Sequence, residues 1–230
     1  MRLHEYQSKE LLRKYGVQTP RGYPCFHVPE VVKAVRRIGK SLVKPQIHLA
    51  GGKPPPPART AASKDEAQVC AEQIFNTPVE PSGVMVKRIL VEEAVAGKPM
   101  YRLDVTADAA GAADSWPQPL RLTIYAQSNS DGAPLHDESL APGVELSEER
   151  ALAIFRKLSL PEAATRSTLA LLTGTCKMAS ERGAQLLRID PVMLTDRGAV
   201  LASGVVVEFT EQSLITHPEI GSMRDPDAAD

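Results

Sequence analysis

The sequence predicts an α+β fold built as lobes with mainly antiparallel sheets, and three observations carry that expectation. A length of 230 residues suits one large domain or two small lobes sharing a core. Helical and strand-like apolar patterns are mixed along the chain, and many neighbouring strand candidates read as antiparallel pairs. No internal repeat is visible, and the mixture fits α+β lobes better than a Rossmann-type sheet.

Residues 4–15 read as a helix, with Tyr6, Leu11, Leu12 and Tyr15 on roughly one side and Gly16 as its stop. Pro20, Gly22 and Pro24 make residues 17–28 a loop or short extended piece. Pro29 opens a second helix through Ile38, striped by Val31, Val32, Val35 and Ile38 and followed by Gly39. A strand candidate at 42–48 leads into Gly51-Gly52-Lys53 and then Pro54 to Pro57, where no regular element can continue. Ser63 caps a third helix reaching about Phe75, with Asp65 and Glu66 in its first turn. Residues 83–91 (GVMVKRILV) read as a strand, as do 101–107 and 120–128 on either side of a Gly/Ala/Asp/Pro loop. Residues 147–158 form a helical pattern, and Pro161 opens a longer one ending near Gly183. Residues 185–189 and 199–207, around the turn Thr195-Asp196-Arg197-Gly198, make a β-hairpin, and the closing RDPDAAD reads as a frayed acidic tail.

Composition narrows the function classes. The chain is 43% hydrophobic and 24% charged, close to the globular average. Aromatics at 4% argue against reading single-stranded nucleic acid by stacking, and no helix-turn-helix or finger pattern is present, so no nucleic-acid partner is expected. No run of 18 apolar residues exists, and the charged, amphipathic N-terminus is no secretory signal, so no membrane partner is expected either. Cys25, Cys70 and Cys176 lie far apart with no CxxC, which fits isolated thiols in a reducing, cytoplasmic setting. The net charge of −1 hides an asymmetry: residues 1–59 hold 12 Lys/Arg against 3 Asp/Glu, and the remainder 15 against 25. That basic part suits nucleotide phosphates, coenzyme A or an acidic partner, although Lys33, Arg36, Arg37 and Lys40 read equally well as the solvated side of one helix.

Four stretches point together to one family: LHEYQSKELLRKYGV at 3–17, LVKPQIHLAGGK at 42–53, ILVEEA at 89–94 and LLRIDPVMLTDRGAVLASG at 186–204, with HPEIGSMRD at 217–225 behind them. In this order and spacing they resemble the ATP-grasp region of the succinyl-CoA synthetase β subunit, the nucleotide-binding half of an ATP-dependent acid–CoA ligase. The resemblance covers essentially the whole chain. It implies a smaller lobe at 21–100, a larger lobe at 1–20 plus 101–225, and a tail at 226–230. It also implies ATP and Mg2+ as cofactors, and an α-like CoA ligase subunit as partner, which carries the phosphorylated histidine. None of His4, His27, His48, His136 or His217 is therefore a nucleophile, and the chain itself is expected to hold no catalytic residue. The family's C-terminal CoA-ligase domain would begin where this sequence stops, so the chain is not expected to be a whole enzyme.

Such a site needs backbone amides and a lysine for phosphates, a hinge for adenine and carboxylates for magnesium. By resemblance Lys44 is the phosphate lysine, His48, Gly51, Gly52 and Lys53 follow it into the phosphate loop, Glu92 sits at the hinge and Asp190 is the metal ligand. Several positions depart from the family. The loop runs from Lys53 into four prolines, which offer no amide cradle and favour stiff polyproline II. Arg188 replaces an acid beside the metal position, Gly204 aligns with a metal-binding aspartate, Pro99 aligns with a glutamate beyond the hinge, and residues 129–132 replace a Glu-Gly-Gly-like segment. Three readings follow. The chain is a ligase component with little or no activity alone, a non-catalytic pseudo-subunit, or a binder of an anionic metabolite through Lys44, Lys53 and Arg188.

Overall fold

The computed structural model describes residues 1–49, 55–108, 118–129 and 132–225. In chain order its elements are α1 (Glu5–Lys14), β1 (Gly22–Cys25), α2 (Val28–Ile38), β2 (Ser41–Gln46), β3 (Arg59–Ala61), α3 (Lys64–Asn76), β4 (Arg88–Glu93), β5 (Gly97–Ala107), β6 (Leu120–Ala126), β7 (His136–Leu140), α4 (Glu148–Phe155), α5 (Thr165–Arg182), β8 (Ala184–Thr195), β9 (Val200–Ala202), β10 (Val205–Phe209), α6 (Glu211–Thr216) and α7 (Pro218–Gly221). Helices and antiparallel sheets are mixed, as the α+β expectation requires. Among the described residues no helix is long and apolar enough to cross a membrane.

The chain divides into two compact units. Among the described residues, unit 1 comprises Met1–Leu3, Gln7–Thr19 and Ala96–Arg224, and unit 2 comprises His4–Tyr6, Pro20–Val95 and Asp225.

Unit 2 is built on a sheet of order β1-β4-β2-β3, every pair antiparallel. The period-2 alternation of β2 and β4 splits their residues between two faces. Val43, Ile89 and Val91 are fully buried with Val31, Val35, Ala67 and Ala71 from α2 and α3, forming this unit's core. Lys44, Gln46, Arg88, Leu90 and Glu92 have the opposite parity and share the other face. Pro45 is accommodated because β3 pairs only with Ser41–Val43, so β2 is an edge where the missing N–H falls. The cap on α3 is the one its sequence encodes: Ser63 Oγ accepts from the Glu66 N–H at 3.2 Å, and the Glu66 carboxylate accepts from the Ser63 N–H at 3.2 Å.

Unit 1 carries a six-stranded sheet of order β10-β8-β5-β6-β7, with β9 also paired to β8. Leu103, Val105, Leu122, Ile124, Leu187 and Ile189 project from it into a core shared with Leu171, Leu172, Cys176 and Met178 of α5. Helix α5 stops where Gly183 takes a positive φ of 69°.

Several expected boundaries move. The strand read at 83–91 begins only at Arg88, because Pro81 and the left-handed Gly83 (φ 68°) fold its first half into a turn closed by Gly83 N–H to Val79 O at 2.9 Å. The long helix does not start at Pro161: a short 3-10 turn, Glu162–Ala164, precedes Thr165. The hairpin strand extends to Ala184–Thr195, and its return leg is broken at Ser203-Gly204 into β9 and β10. The tail is not wholly frayed either, since the Asp225 side chain is only 7% exposed and ion-paired; residues 226–230 lie outside the described residues.

Candidate functional site

Each unit presents one polar sheet face, and these hold the residues the sequence singles out. In unit 2, Lys44 Nζ lies 2.8 Å from Glu5 Oε1 and 2.7 Å from Glu92 Oε2. The alternation of β2 and β4 places Lys44 and Glu92 on the same face, and Glu5 arrives as the first residue of α1. Burial works against the lysine's charge, but the Glu5 and Glu92 carboxylates outweigh it and raise its pKa above the ordinary lysine value. Lys44 is therefore a cation already flanked by two anions.

Glu92, expected by resemblance at the hinge, is not an exposed loop carboxylate. It lies inside β4 with a side chain that is 0% exposed, because β4 is a central strand and its polar parity faces Lys44. Gln46 is equally enclosed at 6% exposure, and its Oε1 has no hydrogen-bond partner among the described residues.

Beside this triad, His4 Nε2 and Arg88 Nη1 converge on the same oxygen of Asp225, at 2.7 and 2.8 Å. The rings of His4 and His48 stack with centroids 4.2 Å apart. Burial depresses the His4 pKa more than the neighbouring Asp225 carboxylate raises it, which keeps the imidazole neutral near pH 7. Lys44, His48 and Glu92 are thus brought together, while Gly51, Gly52 and Lys53 lie outside the described residues. Sequence reasoning set Gln46 on the same alternation as Lys44 but missed Glu5, His4, Arg88 and Asp225 as members of this face. Glu5 and His4 stand in the opening LHEYQ stretch, whose specificity was a usable signal; Asp225 was hidden in a segment that reads as tail.

The corresponding face of unit 1 centres on Arg188 and Asp104, directly opposed on β8 and β5. Arg188 Nε and Nη2 each donate to one oxygen of the Asp104 carboxylate at 2.9 Å, the bidentate geometry that raises the guanidinium pKa further. Arg102 Nε lies 3.4 Å from the same carboxylate, and its guanidinium covers the Tyr125 ring with its carbon 4.2 Å from the centroid. Asp190 is exposed and accepts from Gln127 Nε2 at 3.1 Å. Glu208 pairs with Leu186, four residues along β8 from Asp190 and so about 13 Å away at the usual strand rise, too far to complete a metal shell.

Magnesium does not fit these residues. Its ligand set needs several oxygens around one point with no competing cation. Among the described residues no three His, Cys, Asp or Glu side chains cluster to hold a metal. Arg188 instead places a fixed positive charge on this face. At Gly204 a Cβ would fall inside contact distance of the Asp190 carbonyl oxygen, so the position has no room for an aspartate without backbone movement. The face of unit 2 does not fit a polyphosphate either, since Lys44 and Arg88 are set against the carboxylates of Glu5, Glu92 and Asp225.

Comparison with known proteins places this geometry. Residues 2–112 match the ATP-grasp domain family. Over its full length the chain is 32% identical to the ADP-forming succinate–CoA ligase subunit beta of Herminiimonas arsenicoxydans and to that of Burkholderia thailandensis, and it spans 62% of the length of each. The fold is shared with the ACD1 protein of Ca. Korarchaeum cryptofilum, solved with coenzyme A (TM-score 0.70, 13% identity, 91% of this chain and 93% of that one). It is shared also with the ATP citrate lyase of Methanosaeta concilii, solved with citryl-CoA (TM-score 0.66, 14% identity, 99% of this chain and 55% of that one). The domain match at residues 2–112 and the 32% identity along the whole chain make it similar to the ATP-grasp-bearing part of succinate–CoA ligase β subunits.

Proposed function

We propose that this chain is a component of a carboxylate–CoA ligase-type assembly that has no phosphoryl-transfer activity of its own. The observation that carries the reading is the Arg188–Asp104 pair, a bidentate ion pair on the sheet face where the family resemblance calls for a metal carboxylate. Phosphoryl transfer depends on positioning and on neutralising the phosphate charge. A guanidinium already bound to a carboxylate supplies little of either. In this reading unit 2 corresponds to the smaller ATP-grasp lobe and unit 1 to the larger, and the partner is an α-like CoA ligase subunit that carries the covalent chemistry.

Calorimetric titration with ATP, ADP and GTP, with and without magnesium, tests the proposal. The expected result is no magnesium-dependent binding by the isolated chain. Micromolar, magnesium-dependent binding that disappears in Asp190→Ala overturns it.

A second reading, a metal-independent site for an anionic metabolite, is favoured by one further feature. The Arg188 side chain is 40% exposed and has donors beyond the two given to Asp104. Binding of succinate without magnesium, lost in Arg188→Ala, supports this reading, and no succinate binding removes it.

A further inference from the structure

Unit 2 has a concavity on the opposite face of its sheet from Lys44. A cleft of about 610 Å³ opens beside Pro45, whose parity on β2 is that of the core residue Val43. Its floor is Ile74 of α3 and Val86, 6% and 4% exposed, and its walls include Pro56, Pro57 and Pro78. This size lies within the range of small-molecule sites. Proline fixes φ, so walls of this kind are preformed and lose little freedom when a ligand enters.

One charged group gives the cleft a direction. Arg59 on β3 lines it and donates Nη1–H to the amide oxygen of Gln73, a neutral partner, and has no carboxylate partner among the described residues. Glu80 also lines the cleft. The Gln73 oxygen takes one of the five N–H donors of this guanidinium, and a carboxylate can take two more in the parallel bidentate geometry that a single amide oxygen cannot offer.

We infer that this cleft binds a small amphiphilic acid, with an aliphatic or aromatic body lying on Ile74 and Val86 between the prolines and its carboxylate on Arg59. The site is distinct from the Lys44 face, lies wholly within unit 2, and does not depend on whether the chain handles nucleotide.

Calorimetry on the full chain with decanoate and with decanol, its uncharged counterpart, tests the inference in three proteins: the wild type, Arg59→Met and Gln73→Trp. Arg59 and Gln73 are both exposed, so neither substitution disturbs the core. The expected pattern is micromolar decanoate binding that weakens about tenfold in Arg59→Met while decanol is unaffected, and weakening of both ligands in Gln73→Trp, whose indole takes up part of the cleft. Absence of decanoate binding to the wild type overturns the inference. So does decanoate binding that Gln73→Trp leaves intact, which places the ligand elsewhere, or equal affinity of Arg59→Met and wild type, which removes the carboxylate from Arg59.

Discussion

The polar face of unit 2 and that of unit 1 pair their cations with carboxylates of the same chain by opposite routes. In unit 2 the lysine expected by resemblance is kept, but Glu5 and Glu92 stand within 2.8 Å of its ammonium. In unit 1 the expected acid is exchanged for Arg188, and Asp104 across the ladder accepts both its forward donors. One face retains the residue and the other replaces it, yet in both the charge is satisfied within the chain. A side chain at an aligned position says less about function than the charges within hydrogen-bonding reach of it.

The contrast also separates a buried pair from a half-exposed one, and mutation should amplify that difference. Lys44→Ala strips the nearest cation from a carboxylate with no exposed surface. A loss of about 3 kcal/mol in urea unfolding is expected, because breaking a buried pair leaves a charge behind. A loss below about 1 kcal/mol would mean that Glu92 is satisfied without Lys44. Gly204→Asp is expected to cost about 2 kcal/mol in the same assay by forcing the Asp190 carbonyl away, and to gain no magnesium affinity. A stable variant that binds magnesium would reverse the reading of unit 1. Arg188→Ala should cost only about 1 kcal/mol, since the arginine is 40% exposed and Arg102 still approaches Asp104.

A pH series sharpens the comparison from another side. Burial lowers the His4 pKa in the folded chain, so the unfolded chain binds a proton there first as pH falls. Stability from His4 is therefore complete above the unfolded value of 6.5 and is lost progressively as pH drops below it toward the lowered folded value. His4→Gln is expected to flatten the unfolding midpoint between pH 7 and about 5, and an unchanged slope would assign that dependence to another group. The smallest effect is local: Ser63→Ala should lower stability by about 1 kcal/mol through loss of the α3 capping box, as read by thermal unfolding.

Much of the framework could be read from the sequence because its signals are local. Ser63 with Glu66, Gly16 after α1 and Gly183 after α5 mark helix ends by chemistry within a few residues. The short strands β3 and β7 were not legible, since three to five residues carry too little periodicity to declare a partner. At the candidate sites, Lys44, His48 and Glu92 could be singled out, but their environment could not. Glu5 and Asp225 reach the same face from near opposite ends of the chain, and no spacing rule connects them. Likewise Arg188 reads as an intruding cation until the register of β5 and β8 sets Asp104 opposite it.

The most direct test of the proposal that the chain binds no metal–nucleotide uses Mn2+ as a paramagnetic stand-in for magnesium. Water-proton relaxation is measured for Mn2+ with ADP, with and without the chain, and again with Asp190→Ala. The expected result is a relaxation that stays at the value of Mn2+–ADP alone in the presence of either protein. An enhancement with the wild-type chain that vanishes in Asp190→Ala would contradict it and restore Asp190 as a working metal ligand.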